Sequence, residues 1–199
     1  MAQELELKAI VPDPAALRRR LAAAGARPAF RGLMEDRRYD RDGALTARDE
    51  VLRVRRFVHA DGTIEAELTW KGPTRRSADG YKLREELSCR IAPGSDSPGR
   101  VVEALGYTVA QAIDRWVEVF DLAGAALRLE WYPRMDVLLE VEGPPEAIES
   151  TIGATALPRE GFSAEQLVEF VRRYDARGPR PAVLALADLG GDRPTWETA

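Results

Sequence analysis

The chain has 199 residues, 45% of them hydrophobic and 31% charged, with 29 Lys+Arg against 33 Asp+Glu and a net charge of −4. That is a folded composition, long enough to bury a core in one domain, and its acidic balance lacks the basic surplus that non-specific nucleic-acid binding needs. A single cysteine, Cys89, excludes an internal disulfide; with the single histidine, His59, it also excludes a His/Cys zinc site, so any metal must use carboxylates, as suits Mg²⁺ or Mn²⁺.

The first strand ends Glu4-Leu5-Glu6-Leu7-Lys8, which puts Glu4, Glu6 and Lys8 on one face and the leucines on the other. A helix follows. Asp13 caps it, Pro14 takes its first position, Leu17 and Leu21 form its apolar stripe and Gly25 stops it. Residues 28–41 read as a second strand. In the third, Val51 to Val58, Arg53 and Arg55 share a face. His59 stands beside the hairpin turn Asp61-Gly62 and reads as a solvated turn residue. The return strand, Thr63 to Lys71, alternates Glu65, Glu67, Thr69 and Lys71 against Ile64, Ala66, Leu68 and Trp70. Glu65 and Glu67 read as partners of the basic residues. The polar loop Thr74 to Gly80 is the expected mobile segment.

The next strand, Tyr81 to Ile91, puts Lys82, Arg84, Glu86 and Ser88 on one face, with Arg84 and Glu86 as an expected pair. Cys89 is expected to be a buried small hydrophobe. A short helix runs from Ser97 to Gly106. Three strands follow, at 107–120, 125–131 and 135–142, the last with Asp136, Leu138, Glu140 and Glu142 on one face. Glu146 to Ile152 reads as a short helix. Ala164 to Ala176 reads as a longer one, with Ser163 and Gln166 as its capping box. The domain is expected to span 1–178, and 179–199 reads as a tail, with Val183 to Leu189 as a short docked helix or plain tail. Trp70, Trp116, Trp131 and Tyr107 are expected in the core or under helices.

About eight strands with short connections give an α+β protein with a largely antiparallel sheet. Such a sheet can close into an eight-stranded antiparallel β-barrel with helices packed outside, apolar side chains outward and charges inward. Glu4 and Glu6 on the first strand and Glu140 and Glu142 on the last then converge. Four carboxylates together need a counter-charge, which a divalent cation supplies while keeping positions open for phosphate. Lys8, Arg53, Arg55, Lys71, Arg84 and Arg115 put cations on the same surface, and these bind phosphate oxygens as forks or point charges. Acid at one side and base at the other match a polyphosphate chain.

In order along the chain, Glu4-x-Glu6-x-Lys8, Leu52-Arg53-Val54-Arg55, Leu68-Thr69-Trp70-Lys71-Gly72-Pro73, Arg84-Glu85-Glu86, Arg115 and Leu138-Leu139-Glu140-Val141-Glu142 resemble the CYTH superfamily. These are the triphosphate tunnel metalloenzymes, among them class IV adenylate cyclases, thiamine triphosphatases and tripolyphosphatases. The resemblance implies an eight-stranded triphosphate tunnel. Glu4, Glu6, Glu140 and Glu142 would hold Mg²⁺ or Mn²⁺ together with Glu130, which stands where the family often has aspartate. Lys8, Arg53, Arg55, Lys71, Arg84 and Arg115 would bind the phosphates. Asp136 is an extra carboxylate, read as a turn residue near the tunnel mouth.

The reaction stays open between hydrolysis of tripolyphosphate, thiamine triphosphate or another triphosphate and cyclisation of ATP to cyclic AMP and pyrophosphate. Hydrolysis is preferred, because a tunnel of charges needs no base pocket. A non-catalytic polyphosphate-binding module is the third reading. The first residues lack a basic segment and an apolar run, and no run spans a membrane, so a cytoplasmic enzyme without nucleic-acid or membrane partners is expected. A homodimer is an option that no sequence feature decides.

Overall fold

The computed structural model describes residues 2–78, 82–92 and 98–197, with the backbone alone at Ala2, Gln3, Glu4 and Lys82. Its strands are β1 (Ala2–Ile10), β2 (Arg27–Asp40), β3 (Val51–His59), β4 (Ile64–Lys71), β5 (Arg75–Arg76), β6 (Lys82–Ile91), β7 (Thr108–Leu122), β8 (Ala125–Trp131) and β9 (Leu138–Glu142). Its helices are α1 (Pro14–Ala23), α2 (Pro98–Ala104), α3 (Pro145–Thr155) and α4 (Leu167–Asp175). The strand order is β1-β9-β8-β7-β2-β3-β4-β6, and β1 also pairs with β6. Eight antiparallel strands therefore close into a barrel, with the two-residue β5 laid on β6.

The seam is made by one strand. Glu6 to Ile10 pair with Leu138 to Glu142, and Ala2 to Glu6 pair with Lys82 to Glu86. The expected inversion of the barrel is observed. Leu7, Ala9, Leu127, Leu129, Leu139 and Val141 face outward and are buried with Leu17 and Leu21 of α1 and Ile148 and Ile152 of α3. Trp131 belongs to this core and Trp116 packs on its edge. A second outer cluster joins Tyr39 and Val54 to Val102 of α2, with Tyr107 against it.

Local chemistry sets the elements. Asp13 accepts from the Ala16 N–H at 2.8 Å, Pro14 sits where its missing N–H costs nothing, and Gly25 at φ +81° turns the chain out of α1. Gly32 in β2 has no room for a side chain, because a Cβ there would lie 2.2 Å from the Val58 carbonyl oxygen. Asp40 accepts from the N–H groups of Arg41, Leu45 and Thr46 and from the Thr46 hydroxyl, which hold its carboxyl down to about 2. It thereby ties the loop from β2 to β3. Leu21 is fully buried, and Leu21→Ala is expected to cost about 2–5 kcal/mol, read as a lowered urea midpoint, because the barrel wall cannot collapse into the cavity.

Four local expectations are corrected. Cys89 is exposed, because among the described residues no helix covers the outer face of β6 there, where Leu87 is exposed too. Ser163 and Gln166 do not form a capping box; Ser163 exchanges backbone hydrogen bonds with Lys8 at 2.8 Å in both directions, and α4 starts only at Leu167. Arg84 donates to the carbonyls of Gly72 and Asp49, with the Asp49 carboxylate 3.8 Å away, rather than to Glu86. The last strand is shorter than the alternation suggested, beginning at Leu138, with Asp136 in the turn before it and paired to Arg177.

α4 covers one end of the barrel, where Phe170 packs with Ile113, Tyr132, Met135 and Leu138. The tail is docked beside it. Val183 bridges to Arg134, Leu186 N–H donates to Asp114 at 2.9 Å, and the Thr195 hydroxyl donates to the Tyr132 carbonyl at 2.6 Å. Its apolar run is an extended bridge followed by a single 3-10 turn, Leu186–Asp188. Residues 79 and 80 of the loop expected to be mobile, Tyr81 at the start of the expected strand, and 93–97, with the expected helix start at Ser97, lie outside the described residues. Among the described residues no helix is long and apolar enough to cross a membrane.

Candidate functional site

Cross-strand register decides which side chains share the interior, since directly opposed residues lie on one face. Glu6 opposes Glu142, Lys8 opposes Glu140, and Glu140 opposes Arg128. Around the barrel, Met34 opposes Arg115, Asp36 opposes Arg55, and Arg53 opposes Thr69. Charged faces from separate strands thus point to one axis. They enclose a cavity of about 240 Å³.

The described lining carries eight cations and four carboxylates. The lining is net positive in a chain whose net charge is −4, and Glu67, Glu86 and Glu130 stand behind it as further counter-charges. The described charges form a belt of alternating sign. The Lys8 ammonium lies 2.8 Å from Glu6 and 2.6 Å from Glu140, and Glu140 accepts in turn from Arg128. Arg128 faces Glu130, Glu130 faces Arg115, and Arg115 donates to Asp36 at 2.6 Å. Asp36 takes a two-pronged contact from Arg55 at 2.7 and 2.9 Å, with Arg53 at 3.9 Å. Arg53 reaches Glu67 at 3.7 Å and Glu86 at 3.9 Å, and Glu86 pairs with Lys71 at 2.7 Å.

The belt fixes ionisation. Burial raises the Asp36 carboxyl, but Arg55, Arg115 and Arg53 outweigh it and hold the group well below its usual range. Burial lowers the Lys8 ammonium, yet Glu140 and Glu6 leave it strongly raised. For Arg53 burial prevails: with Arg55 beside it, its guanidinium comes down to about 10 despite Asp36 and Glu86. Side-chain N–H groups at Arg38, Arg53, Arg115 and Arg128 are buried without a hydrogen-bond acceptor. Buried donors of this kind cost free energy until an acceptor arrives. An anion rich in oxygen, bound in the cavity, is such an acceptor.

The sequence-selected residues are brought together unevenly. Glu6, Lys8, Glu140, Arg53, Arg55, Lys71, Arg84 and Arg115 all line the cavity. Glu4 lies in β1 opposite Arg84, and its side chain is outside those described. Glu142 shares the face of Glu6 across the seam and acts on Arg128, but lies at the rim, where it lines a second cleft with Arg27 and Asp121. Glu130 is fully buried behind the lining, accepting from the Tyr132 hydroxyl at 2.7 Å. Arg84 commits two donors to the carbonyls of Gly72 and Asp49, and so ties the loops after β4 and before β3. His59, expected as a solvated turn residue, is instead the half-buried last residue of β3, edge-on to Phe30 at 4.9 Å and 3.2 Å from Glu65.

Asp36, Arg38, Arg128 and Tyr132 line the cavity and were not singled out from the sequence. The alternation Arg128-x-Glu130 was a usable signal. Arg38 donates to Gln111 at 3.1 Å. Gln111 begins the uncharged part of the wall, which continues through Gln166, Val168, Val171 and Leu184.

Glu6 and Glu140 are the cavity carboxylates placed to meet a cation from the open side. Among the described residues no three Asp, Glu, His or Cys side chains come together to hold a metal. Glu6 and Glu140 converge on one positive charge, that of Lys8. Two carboxylates completed by substrate phosphates is a usual Mg²⁺ arrangement.

No protein-family model matches the sequence, and no curated protein matches it. Solved structures do match. A candidate adenylate cyclase from Vibrio parahaemolyticus superposes with a TM-score of 0.70 at 18% identity, over 85% of this chain and 97% of that one. A candidate adenylyl cyclase from Hippeastrum, described as having a dominant triphosphatase activity, superposes at 0.57 and 18% identity, over 93% of this chain and all of that one. The Mediator head module of Schizosaccharomyces pombe is similar too, at 0.55 and 15% identity over 92% of this chain. At these identities the likeness is one of fold, and it is the closed barrel that the CYTH resemblance implied. The Mediator match shows that this fold is not confined to proteins named as enzymes.

Proposed function

We propose that the chain is a divalent-metal-dependent phosphohydrolase of the CYTH superfamily, acting on a triphosphate held in the barrel. The observation that supports this most is the cavity, whose described lining carries eight cations and four carboxylates inside an acidic protein. A polyphosphate supplies the oxygens that the buried N–H groups of Arg53, Arg115 and Arg128 lack.

Arg53, Arg55, Lys71, Arg115 and Arg128 bind the chain of phosphates along the barrel wall. Asp36 and Glu140 preset the direction of the guanidiniums, so little reorganisation remains when substrate arrives. Glu6 and Glu140, with Glu4, would hold Mg²⁺ or Mn²⁺. The cation would offset phosphate charge when bound. Lys8, between the same carboxylates, lines the cavity and can donate to a phosphate oxygen.

Cyclisation of a nucleoside triphosphate is the second reading. The uncharged wall of Gln111, Gln166, Val168 and Leu184 favours it, because a bare phosphate chain has no use for amide and aliphatic groups. A product assay with tripolyphosphate, thiamine triphosphate and ATP under Mg²⁺ and Mn²⁺ separates the readings. Free phosphate is expected. Pyrophosphate with cyclic nucleotide would establish the cyclase, and tight binding without turnover the binding module.

A further inference from the structure

We propose that Glu130 and Tyr132 are positioning residues that hold Arg115 and Arg128 as two separately aimed phosphate donors, and that Glu130 is not a metal ligand. The proposal rests on the triphosphate reading of the cavity.

Glu130 is fully buried and does not line the cavity, whereas Arg115, Arg128 and Tyr132 do. One of its oxygens is taken by the Tyr132 hydroxyl at 2.7 Å. The other faces Arg115 Nε at 3.4 Å and Arg128 Nη1 at 4.0 Å. Fully buried and outside the lining, Glu130 offers a divalent cation no room for the waters or phosphates that Mg²⁺ keeps, and two guanidiniums already face its remaining oxygen.

The same geometry gives Glu130 another role. The far side of each guanidinium has its own carboxylate, Asp36 for Arg115 and Glu140 for Arg128. Glu130 is the negative charge that the two share. Without it, like charges from neighbouring strands would face each other across a buried gap. Tyr132 completes the clamp. Its hydroxyl donates to Glu130 and lies 3.5 Å from Arg115 Nη1, and its ring centroid is 5.9 Å from the same guanidinium. Its own backbone is held by Thr195 of the docked tail. Arg115 is therefore fixed on three sides, and a phosphate meets it already oriented.

The test uses the full-length protein and the variants Glu130→Gln and Tyr132→Phe. With Mg²⁺ and tripolyphosphate, each variant is expected to lower kcat by about tenfold or more while KM stays level or falls, as displaced but intact cations would produce. Mn²⁺ affinity without substrate, read by electron paramagnetic resonance, is expected to be unchanged. Calorimetric titration with tripolyphosphate in EDTA is expected to show Glu130→Gln binding as tightly as wild type or tighter, since a negative charge is gone. A loss of Mn²⁺ affinity in Glu130→Gln returns Glu130 to the metal set and overturns the proposal. Unchanged kcat in Tyr132→Phe, which keeps the carboxylate and so guards against a folding failure, overturns it as well. If wild type binds neither tripolyphosphate nor ATP, the triphosphate reading fails first and takes the proposal with it.

Discussion

Asp36→Asn costs the barrel about 3–5 kcal/mol of stability, the range for breaking a buried ion pair by removing one partner. Asp36 is completely buried and is the carboxylate on which Arg55 and Arg115 both close, with Arg53 nearby. Asparagine keeps the shape and one acceptor oxygen but leaves three guanidiniums without that counter-charge. A urea unfolding series measures the loss, and a shift below about 1 kcal/mol, no more than an exposed pair contributes, would refute the anchoring role.

The same experiment tests anion binding, because an oxyanion can replace the missing carboxylate. Tripolyphosphate at about 100 times its Kd returns about 2.7 kcal/mol by mass action. The pH dependence follows in sign. The Asp36 carboxyl is depressed in the folded protein, so its contribution is complete above the unfolded value of about 3.9 and is lost as pH falls through the still lower folded value. Wild type should lose stability below about pH 4, and Asp36→Asn should lack that part of the acid transition.

Glu140→Gln lowers metal-dependent turnover by about 10²–10³-fold, the cost of deleting one preorganised charged group at a reacting centre. Glu140 holds Lys8 at 2.6 Å and accepts from Arg128, so it orients a cation on either side while serving the proposed metal pair with Glu6. Half-buried Glu142, in a separate cleft, should cost far less when changed to alanine. Steady-state kinetics against Mg²⁺ concentration checks both. Equal losses at Glu140 and Glu142 would place Glu142 in the metal set with Glu6, which it faces across the seam.

Much of this architecture was legible in the sequence, for a specific reason. β1 and β4 carry charge on one face only, and β3 does so up to Arg55, with Arg56 on its other face, so alternation separates Glu6 and Lys8, Arg53 and Arg55, and Glu67 and Lys71 from the leucines and valines between them. β2 is different. It presents charges on both faces, Glu35 and Arg37 on one and Asp36 and Arg38 on the other, and its pairing with β7 slips at Pro28/Phe30 and at Arg38/Tyr39. Alternation then marks no face, and Asp36 stayed hidden although it is the hub of the arginines. Tyr132 lies just past the end of β8, where strand alternation no longer applies. Exposure of Cys89 and Leu87 depends on which part of the outer wall a helix covers, and that is set by tertiary packing rather than by the strand's own pattern.

The closure of the barrel by β1 has a consequence for how the protein is made. Leu7 pairs with Val141, so β1 cannot be seated on both sides until β9, the last strand of the sheet, has joined it. Contacts so distant along the chain slow folding, and they leave a bare strand waiting with both edges open. Unpaired edges invite association with other chains, and charged side chains discourage it. Glu6 and Lys8 put two charges on one face of that waiting strand. The residues that line the finished cavity thus also act earlier, as protection against aggregation for a strand that must wait for its partner.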